Sequence, residues 1–223
     1  MANQQHLAVL RSGAVIWMDW KKKNPEIEPD FSGGNLYQAQ LMEMDLSAAN
    51  FSVTNLSGAN LTQANLSHAN LIGANLSDAN LNDTIIYDAN LIGADLKGAS
   101  LKNADLGTAK LHRSNLCFAN LMSANLIAAN LSKANLHEAE LLGAYLYQTS
   151  LYQANLTQAH LGGAFLLKAN LQEADLSKAD LRWTNLSRAN LSGANLTGAN
   201  LSMANLSGAN LTGANLYGTI MPE

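Results

Sequence analysis

Residues 59–73 read Ala59-Asn60-Leu61-Thr62-Gln63, Ala64-Asn65-Leu66-Ser67-His68, Ala69-Asn70-Leu71-Ile72-Gly73, one pattern three times over. Stepping by five from Phe31 reaches Leu216 through 38 positions, of which 35 are Leu and the others Phe31, Phe51 and Ile86. Two residues before this central position, 30 of the 38 are Ala; immediately before it, 29 of the 38 are Asn or Asp. No insertion breaks the register.

A period of five suits neither regular element as a continuous run. A helix repeats every 3.6 residues and a strand every two, so an apolar residue at every fifth position would spiral around a helix and bury no face. A chain that bends after each short extended segment can point every Leu inward, and coils so formed stack into a solenoid with one continuous core. Ala then faces inward, Asn outward and Leu inward, followed by two outward residues at the bend. Gly58, Gly73, Gly93, Gly193 and Gly208 occupy the last slot, where a bend needs positive φ. Each buried Leu contributes on the order of 1.5–3 kcal/mol, and enlarging an inward Ala costs about 1–3 kcal/mol by overpacking. Met44 is the one large residue in an inward Ala slot.

The run Ala-Asn-Leu-x-x resembles that of the pentapeptide-repeat proteins, over residues 31 to about 221. The resemblance implies an all-β solenoid: a right-handed quadrilateral parallel β-helix in which four pentapeptides make one square coil of 20 residues. On that geometry the repeats give about 9.5 coils, and at about 4.8 Å per coil the rod is about 45 Å long. The predicted organisation is an N-terminal capping helix and linker over residues 1–30, and a repeat rod with a short C-terminal plug over 31–223.

A solenoid needs covered ends. Leu7, Leu10, Ala14 and Trp17 fall on one helical face, and Asn24-Pro25 and Pro29 stop the helix, which predicts one cap helix within residues 1–24. This leader, with Trp17, Trp20 and Pro29-Asp30, resembles those of cyanobacterial pentapeptide-repeat proteins. Tyr217, Ile220 and Met221 are read as the plug at the other end.

Composition narrows the function classes. The chain has 223 residues, a formal net charge of −4 and 13 Lys plus Arg, which argues against general nucleic-acid binding. No run of about 18 apolar residues exists to span a membrane as a helix. Met1 to Gln5 carry no positive side chain, so no secretory signal is recognised and a cytoplasmic location is expected. The single Cys117 excludes an internal disulfide or a multi-thiolate metal site. No phosphate-binding loop or nucleophile elbow is present, and no cofactor, metal ligand set or enzymatic activity is expected. If residues 20 apart stack, one column reads Asn120, Glu140, His160, Asp180. An imidazole between carboxylates is a ligand pattern, but on a convex face it is read as surface charge pairing, since active sites are concave.

The same arithmetic gathers Ile85, Tyr87, Ile127, Tyr145, Tyr147, Phe165 and Leu167 on one face, where the repeat elsewhere places Asn and Ser. Ile72, Ile92 and Tyr152 adjoin it. Such a patch marks either an interface or side chains that simply stack along a parallel ladder. Charge is uneven as well: residues 31–96 hold six acidic side chains and no Lys or Arg, while residues 97–223 hold nine basic and seven acidic.

Two functions follow. The first is a non-catalytic module presenting flat faces of a rigid rod to an unidentified protein partner, or to itself. The alternative comes from the resemblance: some pentapeptide-repeat proteins mimic DNA and bind gyrase, a type II topoisomerase. That role implies strong continuous negative charge and a C-terminal dimerisation helix, neither of which this sequence shows.

Overall fold

The computed structural model describes residues 2–223; Met1, the first residue of the expected cap, lies outside the described residues. From Asp30 onward the chain makes one parallel bridge per pentapeptide, and every bridge joins residues 20 apart, from Asp30–Asn50 to Asn200–Ile220. Four pentapeptides therefore separate one rung from the next, and the chain winds as a β-helix-type solenoid.

The pentapeptide around Leu126 shows why five residues close on themselves. The Asn125 amide donates to the Ala104 carbonyl of the preceding coil at 2.9 Å, and those of Leu126 and Ala128 donate to Tyr145 and Tyr147 of the following coil at 2.7 and 2.9 Å. The Ala129 amide closes a turn on the Leu126 carbonyl at 3.0 Å. That leaves the Ile127 amide, which donates to Oδ1 of Asn125 at 3.1 Å. Every N–H of the repeat thus has a partner, as the backbone requires when water is excluded.

The Asn before each Leu is accordingly a structural clasp and not merely an outward polar residue. Its Oδ1 accepts the amide two residues on, and in a number of coils its Nδ2 donates to the clasp of the preceding coil: Asn125 to Asp105 at 2.8 Å, Asn155 to Asn135 at 2.9 Å. Asp serves as well as Asn for the first bond but supplies no donor for the second.

The inward Leu and Ala form one continuous core. Met44 is buried within it, and the polar exceptions are satisfied: Thr54, Thr84 and Thr149 donate Oγ1–H to the carbonyls of Phe31, Leu61 and Leu126. The last slot of each pentapeptide has positive φ whether or not it is Gly, from Gly33 at 67° to Gly218 at 67°, with Val53 at 56° and Trp183 at 57°. This is the backbone that a type II turn requires at its third residue.

The single cap helix expected for residues 1–24 is two helices, α1 (Gln4–Arg11) and α2 (Ala14–Lys23). Gly13 between them sits at φ 98°, and the Ser12 hydroxyl donates to the Ala8 carbonyl at 2.9 Å, so the pair Ser12-Gly13 ends α1 and redirects the chain. The break lets Leu7 and Leu10 of α1 and Trp17 of α2 all be buried. Trp17 lies against Phe31, centroids 5.7 Å apart, and Phe31 stacks on Phe51 at 4.9 Å.

The cap also supplies donors to carbonyls that in later coils accept amides from the coil before. The Asn3 amide reaches the Asp30 carbonyl at 3.0 Å, and Arg11 Nη2 reaches Asn35 at 3.0 Å. Trp17 Nε1 reaches Asp45 at 2.7 Å and Lys21 Nζ reaches Ser47 at 3.0 Å. At the other end the three side chains expected to act as a plug do not cover the last Leu. Tyr217, Ile220 and Met221 are exposed, and Leu216 remains 38% exposed.

Candidate interaction surface

The 20-residue register decides which outward side chains meet. Tyr145 pairs with Phe165; their rings lie 5.2 Å apart and only 6° from parallel. The two are 47% and 45% exposed. Tyr147 and Leu167 stand beside them at the adjoining bend, half-buried, with the Lys168 ammonium 5.8 Å from the Tyr147 ring centroid. Ile127, one coil earlier in that bend column, is exposed. These five residues form a continuous cluster.

Ile85 and Tyr87, the other two of the seven predicted surface residues, stand apart from it. The rungs run Ile85–Asp105, Asp105–Asn125, Asn125–Tyr145, so two polar residues separate Ile85 from Tyr145. Tyr87 lies over Gly107, where a Cβ would come within 3.2 Å of its ring, and its ring meets His68 edge-on at 6.1 Å. The face thus carries two apolar groups, Ile85 with Tyr87 and the five around Tyr145, parted by Asp105 and Asn125 in one column and by Gly107 in the other. Ile72 and Ile92 on the neighbouring side are exposed, while Tyr152 is half-buried.

The substitutions at 85, 145 and 165 remove clasps. Among the described residues, the amides of Tyr87, Tyr147 and Leu167 have no side-chain acceptor of the kind that Asn125 gives Ile127. A stacked aromatic pair is worth about 0.5–1.5 kcal/mol, about the same as a net hydrogen bond. Ring stacking therefore does no more than offset the lost clasps. This consequence was hidden from sequence reasoning, which read the Asn only as an outward residue; its near-constancy was the available signal.

The His160 column is divided in the structure. His160 Nδ1 lies 2.7 Å from Glu140 Oε1, whereas Asp180 turns to Arg182, with Nε–Oδ1 at 2.8 Å and Nη2–Oδ2 at 2.6 Å. The hydrogen bonds from Arg182 hold the Asp180 carboxyl below its ordinary range. Among the described residues no group of three or more His, Cys, Asp or Glu is placed to hold a metal ion. Cys117 accepts a hydrogen bond from Asn135 Nδ2 at 3.0 Å. A cleft of about 510 Å³ lies between α2 and the first coil, lined by Met18, Lys21, Lys22, Pro25, Asp45 and Ser47. No described helix is long and apolar enough to cross a membrane.

Coils paired in parallel at one fixed register, closed by a turn after every fifth residue, define a repeat solenoid of the β-helix type. The chain belongs to the pentapeptide-repeat family, whose model, described as pentapeptide repeats (8 copies), matches residues 30–63, 49–86, 59–98, 89–126, 119–158, 149–188 and 189–222. Among solved structures it is similar to HetL of the cyanobacterium Nostoc, a pentapeptide-repeat protein involved in heterocyst differentiation regulation. The two are 34% identical over 92% of this chain and 96% of that one, with a TM-score of 0.48. It is also similar to QnrB1, a plasmid-mediated fluoroquinolone resistance protein, at 21% identity over 84% and 89% of the chains with a TM-score of 0.46. Rfr23 of the cyanobacterium Cyanothece is 26% identical over 61% and 63%, with a TM-score of 0.19. No curated protein matches.

Proposed function

We propose that this chain is a non-catalytic interaction module of the cytoplasm, a stiff rod that docks a protein partner on the face bearing Ile85, Tyr87, Ile127, Tyr145, Tyr147, Phe165 and Leu167. Residues 1–30 serve as cap and linker, and residues 31–223 as the working rod, a right-handed quadrilateral β-helix of about 9.5 coils at about 4.8 Å each. The observation that carries the reading is the pair Tyr145–Phe165. Two rings replace two structural clasps, leave neighbouring amides without a side-chain acceptor, and remain nearly half-exposed. Stacking roughly offsets that loss and gives no surplus, whereas covering the rings by a partner adds their burial. HetL is involved in heterocyst differentiation regulation, which supports a regulatory contact over a chemical step. The net charge of −4 favours neither a nucleic acid nor an anionic membrane as the docked surface.

The test is capture by the immobilised full chain from a lysate of the native organism, with crosslinks mapped by mass spectrometry. Crosslinks are expected to concentrate around this face, and Tyr145→Ser with Phe165→Ser is expected to lower capture at least tenfold with an unchanged circular dichroism spectrum. Undiminished capture by that variant would contradict the assignment.

A further inference from the structure

Resting on the reading of this face as a docking surface, the geometry points to its occupant: a second copy of the same chain, packed antiparallel and face to face. The argument is one of internal complementarity. The coil of Leu126 lies midway between the coils of Ile86 and Leu166, two rungs from each. A twofold axis lying in the face, across the rod at Leu126, carries each outward column onto itself with its order reversed.

The pairs that this axis creates are matched in shape and charge. Ile85 of one copy meets Phe165 of the other, and Tyr87 meets Leu167. Tyr147 meets Gly107 and the Tyr87 ring that lies over it, and Ile127 meets its own equivalent. Tyr145 meets Asp105, whose Oδ1 is engaged by the Gly107 amide and Asn125 Nδ2, leaving Oδ2 to accept from the phenol. At the bend column, Asp88 meets Lys168, twice by symmetry. The two separated apolar groups, unexplained as a single patch, are the two halves of one self-complementary surface.

The charge asymmetry selects the antiparallel arrangement. Asp83, Asp88 and Asp105 surround Ile85 and Tyr87, while Lys168 and Arg188 lie beside or beyond Phe165 and Leu167; Arg182 is neutralised by Asp180. Parallel rods would set the acidic end against its own copy, which opposes association; antiparallel rods set it against the other end, with Asp88 opposite Lys168. Isologous contacts of this kind close after two copies. Five coils at about 4.8 Å give a contact about 24 Å long, short for a standard interface, so dissociation on the order of micromolar is expected.

The test is sedimentation velocity of the full chain from about 1 to 300 micromolar. A monomer–dimer equilibrium weakened by salt is expected. Asp88→Lys alone and Lys168→Glu alone should each raise Kd at least tenfold, and the two together should restore it to within about threefold of the wild type, with thermal melts confirming that all variants fold. Three results would overturn the inference: a wild-type chain monomeric throughout, a dimer indifferent to both single substitutions, or a double variant that stays as weak as the singles. A monomeric chain whose capture of a different protein still needs Tyr145 and Phe165 would overturn the self-pairing and leave the docking face standing. Loss of neither association nor capture on substituting Tyr145 and Phe165 would remove both.

Discussion

The side-chain amide of Asn195 donates to Oδ1 of Asp175, 3.1 Å away and one coil earlier, while Asn195 Oδ1 accepts the Thr197 amide at 3.2 Å. Asn195→Asp keeps the second bond and turns the first into a contact between two carboxylates. The variant is expected to lose about 1–2 kcal/mol at pH 7. The loss shrinks on acidification, because the paired carboxylates bind a proton more readily in the folded chain than in the unfolded one. Urea melts at pH 7 and pH 4.5 check this; an equal loss at both would show that the rung is not electrostatic.

Val53 holds a positive φ of 56° on an exposed bend, the conformation that a β-branched residue tolerates least. Val53→Asn, which retains a side chain but suits the left-handed region, is expected to stabilise by about 0.5–1 kcal/mol, a rise in Tm of about 1–4 °C. A calorimetric scan showing no rise would mean that the turn does not impose this backbone.

Two carboxyls set an acid limit. The Ser32 amide, above all, holds the Asp30 carboxyl below its ordinary value, and Arg182 does the same for Asp180. A carboxyl depressed in the fold contributes stability that is present above its unfolded value, about 3.9, and is lost as pH falls through the lower folded value. Tm is therefore expected to fall as pH is taken from 5 toward 2. Asp30→Asn, which still offers an Oδ1 to Ser32, should flatten that fall, as should Arg182→Ala. An unchanged slope in both variants would contradict the assignment.

The gyrase alternative is checked in a supercoiling assay. A rod whose residues 97–223 hold nine basic and seven acidic side chains is a poor substitute for a uniformly anionic duplex, so neither inhibition nor protection of gyrase is expected at micromolar protein. Clear inhibition would reverse the ranking of the two functions.

The leucine period, the small inward residues and the turn glycines were legible because each reports a purely local need: burial, room or positive φ. The outward columns became legible once the resemblance supplied a 20-residue coil, which the bridges match. What sequence reasoning missed depended on partners. The clasp role of Asn125 needs the Ile127 amide and the Asp105 carboxylate in view. The division of the apolar face lies in the same arithmetic, since Asp105 and Asn125 stand between Ile85 and Tyr145, but membership of a face carries no order along it. Two cap helices replaced one because Ser12-Gly13 outweighed an unbroken apolar spacing. The donors that Arg11, Trp17 and Lys21 bring to the first coil are long-range contacts that no local pattern announces.

The face assignments all depend on residues 20 apart lying closer than residues 10 apart, and spin-label distances measure this most directly. In a Cys117→Ser background, labels at Gln158→Cys with Lys178→Cys should couple strongly, their backbones being about 5 Å apart on adjacent coils. Labels at Gln158→Cys with Lys168→Cys should report a longer distance across the rod. A shorter distance for the 158–168 pair would contradict the stacked coil and every column built on it.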